Sequence, residues 1–104
     1  MPLYIALTNY TQKGIESIKE SAQRHREQQE VFRSIGVQSK ELYLTMGRYD
    51  LVHIMEAPDD ETMARMSLTL NSWGWVRTET LRAFTVDEYR KLVESVPSPA
   101  GAPR

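Results

Sequence analysis

The chain contains no cysteine, which excludes disulfides, a thiolate nucleophile and any metal centre built on cysteine sulfur. An excess of one charge is missing too. Lys and Arg number 13 against 14 Asp and Glu, a formal net charge of −1, so no general field draws the chain to nucleic acid or to an anionic membrane. No apolar run approaches the roughly 20 residues of a membrane span. Met1 to Leu7 also lacks the basic-then-apolar order of a secretion signal, and the expected location is the cytoplasm. The two histidines stand far apart in sequence, so there is no metal-binding spacing. Phosphate loop, dinucleotide fingerprint and nucleophile elbow are all absent, and neither metal nor cofactor is expected.

What the chain does contain is a clear alternation of periods. A length of 104 residues suits one domain with a single core. Leu3 to Thr8 alternates Leu3, Ile5 and Leu7 against Tyr4, Ala6 and Thr8, the repeat of a strand with two different faces. Ile15, Ile18, Ala22, His25, Gln29 and Phe32 then recur at helical spacing, predicting one long helix from about Thr11 to Ile35 that Gly36 stops. Val37 to Met46 and Tyr49 to Ala57 read as a hairpin turned by Gly47-Arg48. Pro58 ends the second of these strands, and Asp59-Asp60-Glu61 suits the positive end of a following helix. That helix carries Met63, Met66, Leu70 and Trp73 on one face and stops at Gly74.

Val76 to Phe84 is a fourth strand whose buried face the alternation leaves open. Thr85 and Glu88 form a capping box for a last helix with Tyr89, Leu92, Val93 and Val96 on its apolar side. The domain thus spans residues 1 to 96, and residues 97 to 104 read as a disordered proline-rich tail.

The order strand, helix, strand, strand, helix, strand is that of a ferredoxin-like α+β sandwich with an added C-terminal helix. The aliphatic sets Ile5 and Leu7, Leu42 and Leu44, Val52 and Ile54 are the natural layer under the helices. The opposite face would then carry Tyr4, Ala6, Thr8, Glu41, Tyr43, Tyr49, Leu51, His53 and Met55. Such a face is too apolar for water, so the expected assembly is a homodimer, or a higher homo-oligomer, with two sheets face to face. The same element order occurs in RNA-recognition modules, but their paired sheet aromatics and basic field are lacking.

Gly47-x-Tyr49-Asp50, Glu56-Ala57-Pro58-Asp59-Asp60 and Thr80-Leu81-Arg82-Ala83-Phe84 resemble the signature of the GYD-domain family. Tyr4-Ile5-x-Leu7-Thr8, Thr11-x-x-Gly14-Ile15 and Gly36 fit the same pattern, and the likeness covers roughly residues 1 to 95. It implies a dimeric α/β barrel whose wider relatives include cofactor-free monooxygenases, isomerase-like enzymes and haem-degrading proteins. For the GYD family itself it implies no established activity, so only Gly47, Tyr49 and Asp50 carry over, as motif positions.

Two readings of function follow. One is a homo-oligomeric binding or structural module. The other is a cofactor-free monooxygenase or isomerase-like enzyme holding a small aromatic or polyketide-like ligand between sheet and helices. For the second, His53 is the leading base, with Tyr43 and Tyr4 in reach to orient a ligand, Tyr49 as a pocket wall and Arg82 as a carboxylate clamp. For the first, His53 is a hydrogen-bonded histidine in an interface, Tyr49 is packing and Arg82 is a solvated or ion-paired edge residue. An open pocket at His53 and Tyr43 would favour catalysis; closed packing there would favour the module. Asp50 reads as a structural acceptor for backbone N–H groups or a nearby hydroxyl rather than a general base, because a carboxylate on the helix side needs partners.

Overall fold

The structure, a computed structural model, describes residues 1–99; the end of the tail, residues 100–104, lies outside them. Four strands, β1 (Leu3–Tyr10), β2 (Gln38–Leu44), β3 (Leu51–Glu56) and β4 (Val76–Ala83), form one antiparallel sheet in the order β2-β3-β1-β4. Four helices, α1 (Gln12–Glu16), α2 (Ser21–Ile35), α3 (Asp60–Ser72) and α4 (Val86–Ser95), complete the fold.

The caps sit where the sequence placed them. Asp59 accepts the Thr62 N–H at 2.8 Å to open α3, and hydrogen bonding from the Thr62 side chain, then from its backbone, holds the carboxyl below the usual range. Thr85 and Glu88 form the reciprocal box that opens α4. Gly36 ends α2 at φ 98°, and Gly74 follows α3 at φ 84°, conformations in the left-handed region that a glycine adopts without penalty.

The expected single helix from Thr11 to Ile35 is instead broken. Between α1 and α2 the chain makes a 3-10 turn, Ile18–Glu20, after Ser17 leaves helical geometry at φ −113°, ψ 33°. Ser17 Oγ donates to the Lys13 carbonyl at 2.9 Å, a local bond that competes with the helix ladder. The Ser17 carbonyl is then taken by the Arg24 guanidinium at 2.9 Å. The break leaves Ile15 and Ile18 exposed and brings Arg24, His25, Gln28 and Phe32 to the inner side of α2.

Gly14 follows from the same corner. A Cβ there would lie 2.1 Å from the Trp75 carbonyl oxygen, so only glycine lets α1 lie this close to the start of β4. Thr11 locks the contact by donating its N–H to Trp75 O at 3.0 Å and its hydroxyl to Gly74 O at 2.6 Å.

The link between β2 and β3 is not a two-residue turn but a loop, residues 45–50, and a bulge lies between Ser39 and Glu41. In this loop Gly47 takes φ 133°. Asp50 accepts the Tyr10 N–H at 2.9 Å and donates its own N–H to Thr8 O at 2.9 Å. The loop is thereby stitched to β1.

One expectation about the sheet is reversed. Tyr4, Ala6 and Thr8 of β1 and His53 and Met55 of β3 are buried under the helices, together with Phe32, Met63, Met66 and Leu70. Ile5, Leu7, Val52 and Ile54 point the other way, each only half-buried by its neighbours. For β2 the expectation stands in part. Leu42 pairs with His53 on the helix side, and Tyr43 pairs with Val52 on the other. The sequence reading therefore had β3 one residue out of step with β2, and a one-residue slip exchanges the faces. In β4 the register puts Val76, Thr78, Thr80 and Arg82 on the helix side and Leu81 opposite Ile5 on the other.

The physical reason is volume. Phe32, Met63 and Met66 of the helices interleave there with Tyr4 and Met55 of the sheet, and the small residues Ala6, Ala57 and Thr8 leave room for them. α4 has every residue exposed, and it leaves the aliphatic sheet face uncovered.

Candidate functional site

The five candidate residues fall into three separate places. His53 is 5 % exposed and sits mid-strand in β3, closed over by α2. Its Nε2 is 2.6 Å from Ser39 Oγ on β2. Phe32 lies tilted against its ring at 5.9 Å, and His25 meets it edge-on at 5.8 Å between centroids. Burial, with His25 as a second cause, lowers its pKa from 6.5 to about 4, and burial lowers His25 as well. Both imidazoles are therefore neutral near pH 7.

Tyr4 and Arg82 are cross-strand partners on β1 and β4. The Tyr4 hydroxyl donates to Asp60 at the start of α3 at 2.5 Å. Burial, then this bond to a carboxylate, raises its pKa to about 12, so it remains a phenol at any ordinary pH. Arg82 is exposed and stacks on Phe84 at 4.4 Å, with the Tyr4 ring 5.6 Å away. These residues line a shallow groove of about 580 Å³ beside α3, with Ser67 and Thr80 along it; the two hydroxyls are 2.9 Å apart.

Tyr43 and Tyr49 lie on the uncovered side of the sheet. Tyr43 is about half exposed, at 51 %. The Tyr49 hydroxyl reaches Glu79 on β4 at 2.7 Å, and that bond raises its pKa. Through Tyr49 and Asp50 the Gly-x-Tyr-Asp segment ties the loop after β2 to both β1 and β4. Its observed work is architectural.

Residues that sequence reasoning did not place at a site are Ser39, Asp60 and Glu79, each a partner to a candidate. Asp60 was visible only as part of an acidic helix start; nothing in the local pattern marked Ser39 or Glu79. Among the described residues no group of His, Cys, Asp and Glu is arranged to hold a metal ion. No helix there is long and apolar enough to cross a membrane.

Chemically, His53 is closed off from any ligand and has no carboxylate to raise its basicity, while His25, half-buried on α2, shields it. The uncovered sheet face, by contrast, presents Ile5, Leu7, Val52 and Ile54 flanked by Tyr43 and Leu81. Fold and side chains together define a small two-layer α/β domain, closed around His53 and apolar on one outer surface. A family model described as the GYD domain matches residues 4–93. The chain belongs to the GYD-domain family, as its Gly47-Arg48-Tyr49-Asp50 segment suggested. It is also similar to a protein of Thermus thermophilus named "Glutamine synthetase and cystathionine beta-lyase binding protein", with 40 % identity over 87 residues, which is 83 % of this chain and 92 % of that protein. No solved structure gives a significant match.

Proposed function

We propose that this chain is a small homo-oligomeric binding module of the cytoplasm, a ferredoxin-like domain whose aliphatic sheet face packs against a second copy to make a dimeric α/β barrel. The observation that carries this reading is the uncovered face itself. Ile5, Leu7, Val52, Ile54 and Leu81 form a contiguous apolar surface across three strands, edged by Glu41 and Glu79, and a contiguous apolar face without cover marks an interaction site. A two-fold pair of such faces is self-complementary and closes without leaving a free patch.

α4 supports the same reading. Tyr89, Leu92, Val93 and Val96 are exposed along it, so the chain has two apolar surfaces that do not cover each other. The name of the Thermus relative supports binding as the mode of action. By that likeness, glutamine synthetase and cystathionine beta-lyase are the first partners to try. A catalytic role is less well supported, because His53 is closed in and Tyr43 is on the other side of the sheet.

Sedimentation equilibrium tests the assembly. The expected particle has twice the 12.0 kDa chain mass and dissociates when Ile54 is changed to Lys. A chain that sediments as a folded monomer at all concentrations overturns it. Partner binding is read separately, by surface plasmon resonance with the two purified enzymes over the immobilised chain.

A further inference from the structure

Beyond the aliphatic face, the other side of the sheet has an opening of its own. Between the N-terminal half of α2 and the sheet ends lies a cleft of about 320 Å³, at the lower end of the range of small-molecule sites. Its floor and walls are apolar, made by Leu42, Leu51, Val76, Ala22 and the rings of Tyr10 and Trp75. Its polar lining comes from α2: Arg24, Arg26, His25, Gln28 and Ser21. No carboxylate lines it. Among the described residues neither arginine has an acidic partner within ion-pair distance.

Arg24 is the informative side chain. Its guanidinium lies 4.9 Å from the centroid of the Trp75 ring. Nη1 is committed to the Ser17 carbonyl and hydroxyl at 2.9 and 3.0 Å, but Nη2 is buried with no acceptor. A buried, cationic N–H without a partner is uncommon in a native fold and asks for an explanation. Arg24 is also among the residues that line the cleft, so the unpaired N–H and the cleft share one corner of the fold.

We propose that this cleft binds a small planar carboxylate with an apolar ring, the ring lying against Trp75, Tyr10 and Leu51 and the carboxylate taking up Arg24 Nη2. Three observations converge on that class. The walls favour an apolar body. The free N–H edge of a guanidinium matches a carboxylate oxygen, in a charge-assisted bond stronger than a neutral one. No acid lines the cleft beside Arg24 and Arg26; nearby Glu27 lines an adjoining hollow and is not ion-paired to either. Inorganic phosphate shares the charge but would leave the apolar walls unused. The cleft lies on the opposite side of the sheet from the aliphatic face, so binding is independent of assembly through that face.

The test is titration of the intact chain with 2-naphthoate, 2-naphthamide and inorganic phosphate, followed by isothermal calorimetry and by tryptophan emission. The expected result is one 2-naphthoate per chain, bound about tenfold or more tighter than the uncharged amide, with phosphate weaker still. Arg24→Gln should bring naphthoate down to the affinity of the amide. Ala22→Trp, a change at an exposed helix position that fills the mouth, should abolish binding of both while the circular dichroism and sedimenting mass stay as in the native chain. The proposal is overturned by any one of these outcomes: no naphthoate binding up to its solubility limit, equal affinity for acid and amide, phosphate bound more tightly than naphthoate, unchanged naphthoate affinity in Arg24→Gln, or binding that survives Ala22→Trp. None of them bears on the sheet-face dimer, which the sedimentation measurement judges alone.

Discussion

The two faces of the sheet differ in a direction opposite to simple hydropathy. The face under the helices carries Tyr4, Ala6, Thr8, His53 and Met55, including a hydroxyl, an imidazole and a phenol. The uncovered face carries Ile5, Leu7, Val52, Ile54 and Leu81. Burial within one chain thus goes to the face whose shapes fit the helices, provided each polar group finds a partner. Tyr4 finds Asp60 at 2.5 Å and His53 finds Ser39 at 2.6 Å. The more hydrophobic face is the one that the chain's own helices leave uncovered.

Adjacent residues of β3 give the sharpest way to break this contrast. Met55 is 1 % exposed in the helix-side layer, whereas Ile54 faces out. Met55→Lys buries an unpaired charge and should cost more than about 4 kcal/mol, seen as a chain unfolded by circular dichroism. Ile54→Lys should leave the fold intact and remove only association. Equal damage from both would erase the distinction between the faces.

The next largest effect concerns the buried histidine. With a folded pKa near 4 against 6.5 when unfolded, His53 binds its proton more readily in the unfolded chain. Its contribution is complete above pH 6.5, declines as pH falls through that value, and is gone below about pH 4. The loss amounts to about 3 kcal/mol. Urea denaturation across this window should show it, and His53→Gln should flatten the slope. An equally steep slope in the variant would place the titration elsewhere. A smaller change is expected from Gly14→Ala. The added methyl presses on the Trp75 carbonyl, and the shift it forces should cost about 1–3 kcal/mol, measured as a lower urea midpoint.

Much of the architecture could be read from the residues because its signals are local. Asp59, Thr85 and Glu88 cap helices through side chains a few positions from the N–H groups they touch, and Met63, Met66 and Leu70 keep helical spacing on one buried face. The choice of sheet face was not legible, since alternation gives two faces without saying which one the helices will fit. The break at Ser17 also escaped. There the Ser17 carbonyl takes the Glu20 N–H of a 3-10 turn and the Arg24 guanidinium from seven residues on, bonds that apolar spacing does not reveal. At the candidate site, the family segment was readable as a motif, but its role came from Tyr10 and Glu79, distant in sequence. The pairing of His53 with Ser39 depends on a β2–β3 register that a bulge had shifted.

The box formed by Thr85 and Glu88 has an effect beyond capping. A helix as short as α4 is marginal by itself in water, yet here its first turn is fastened before anything touches its apolar stripe. Its exposed residues Tyr89, Leu92 and Val93 are therefore displayed on a helix already formed rather than on a segment that has still to order. Weakening the fastening by Thr85→Ala should fray this helix first, seen as faster amide exchange across residues 86–95, with the body of the domain undisturbed.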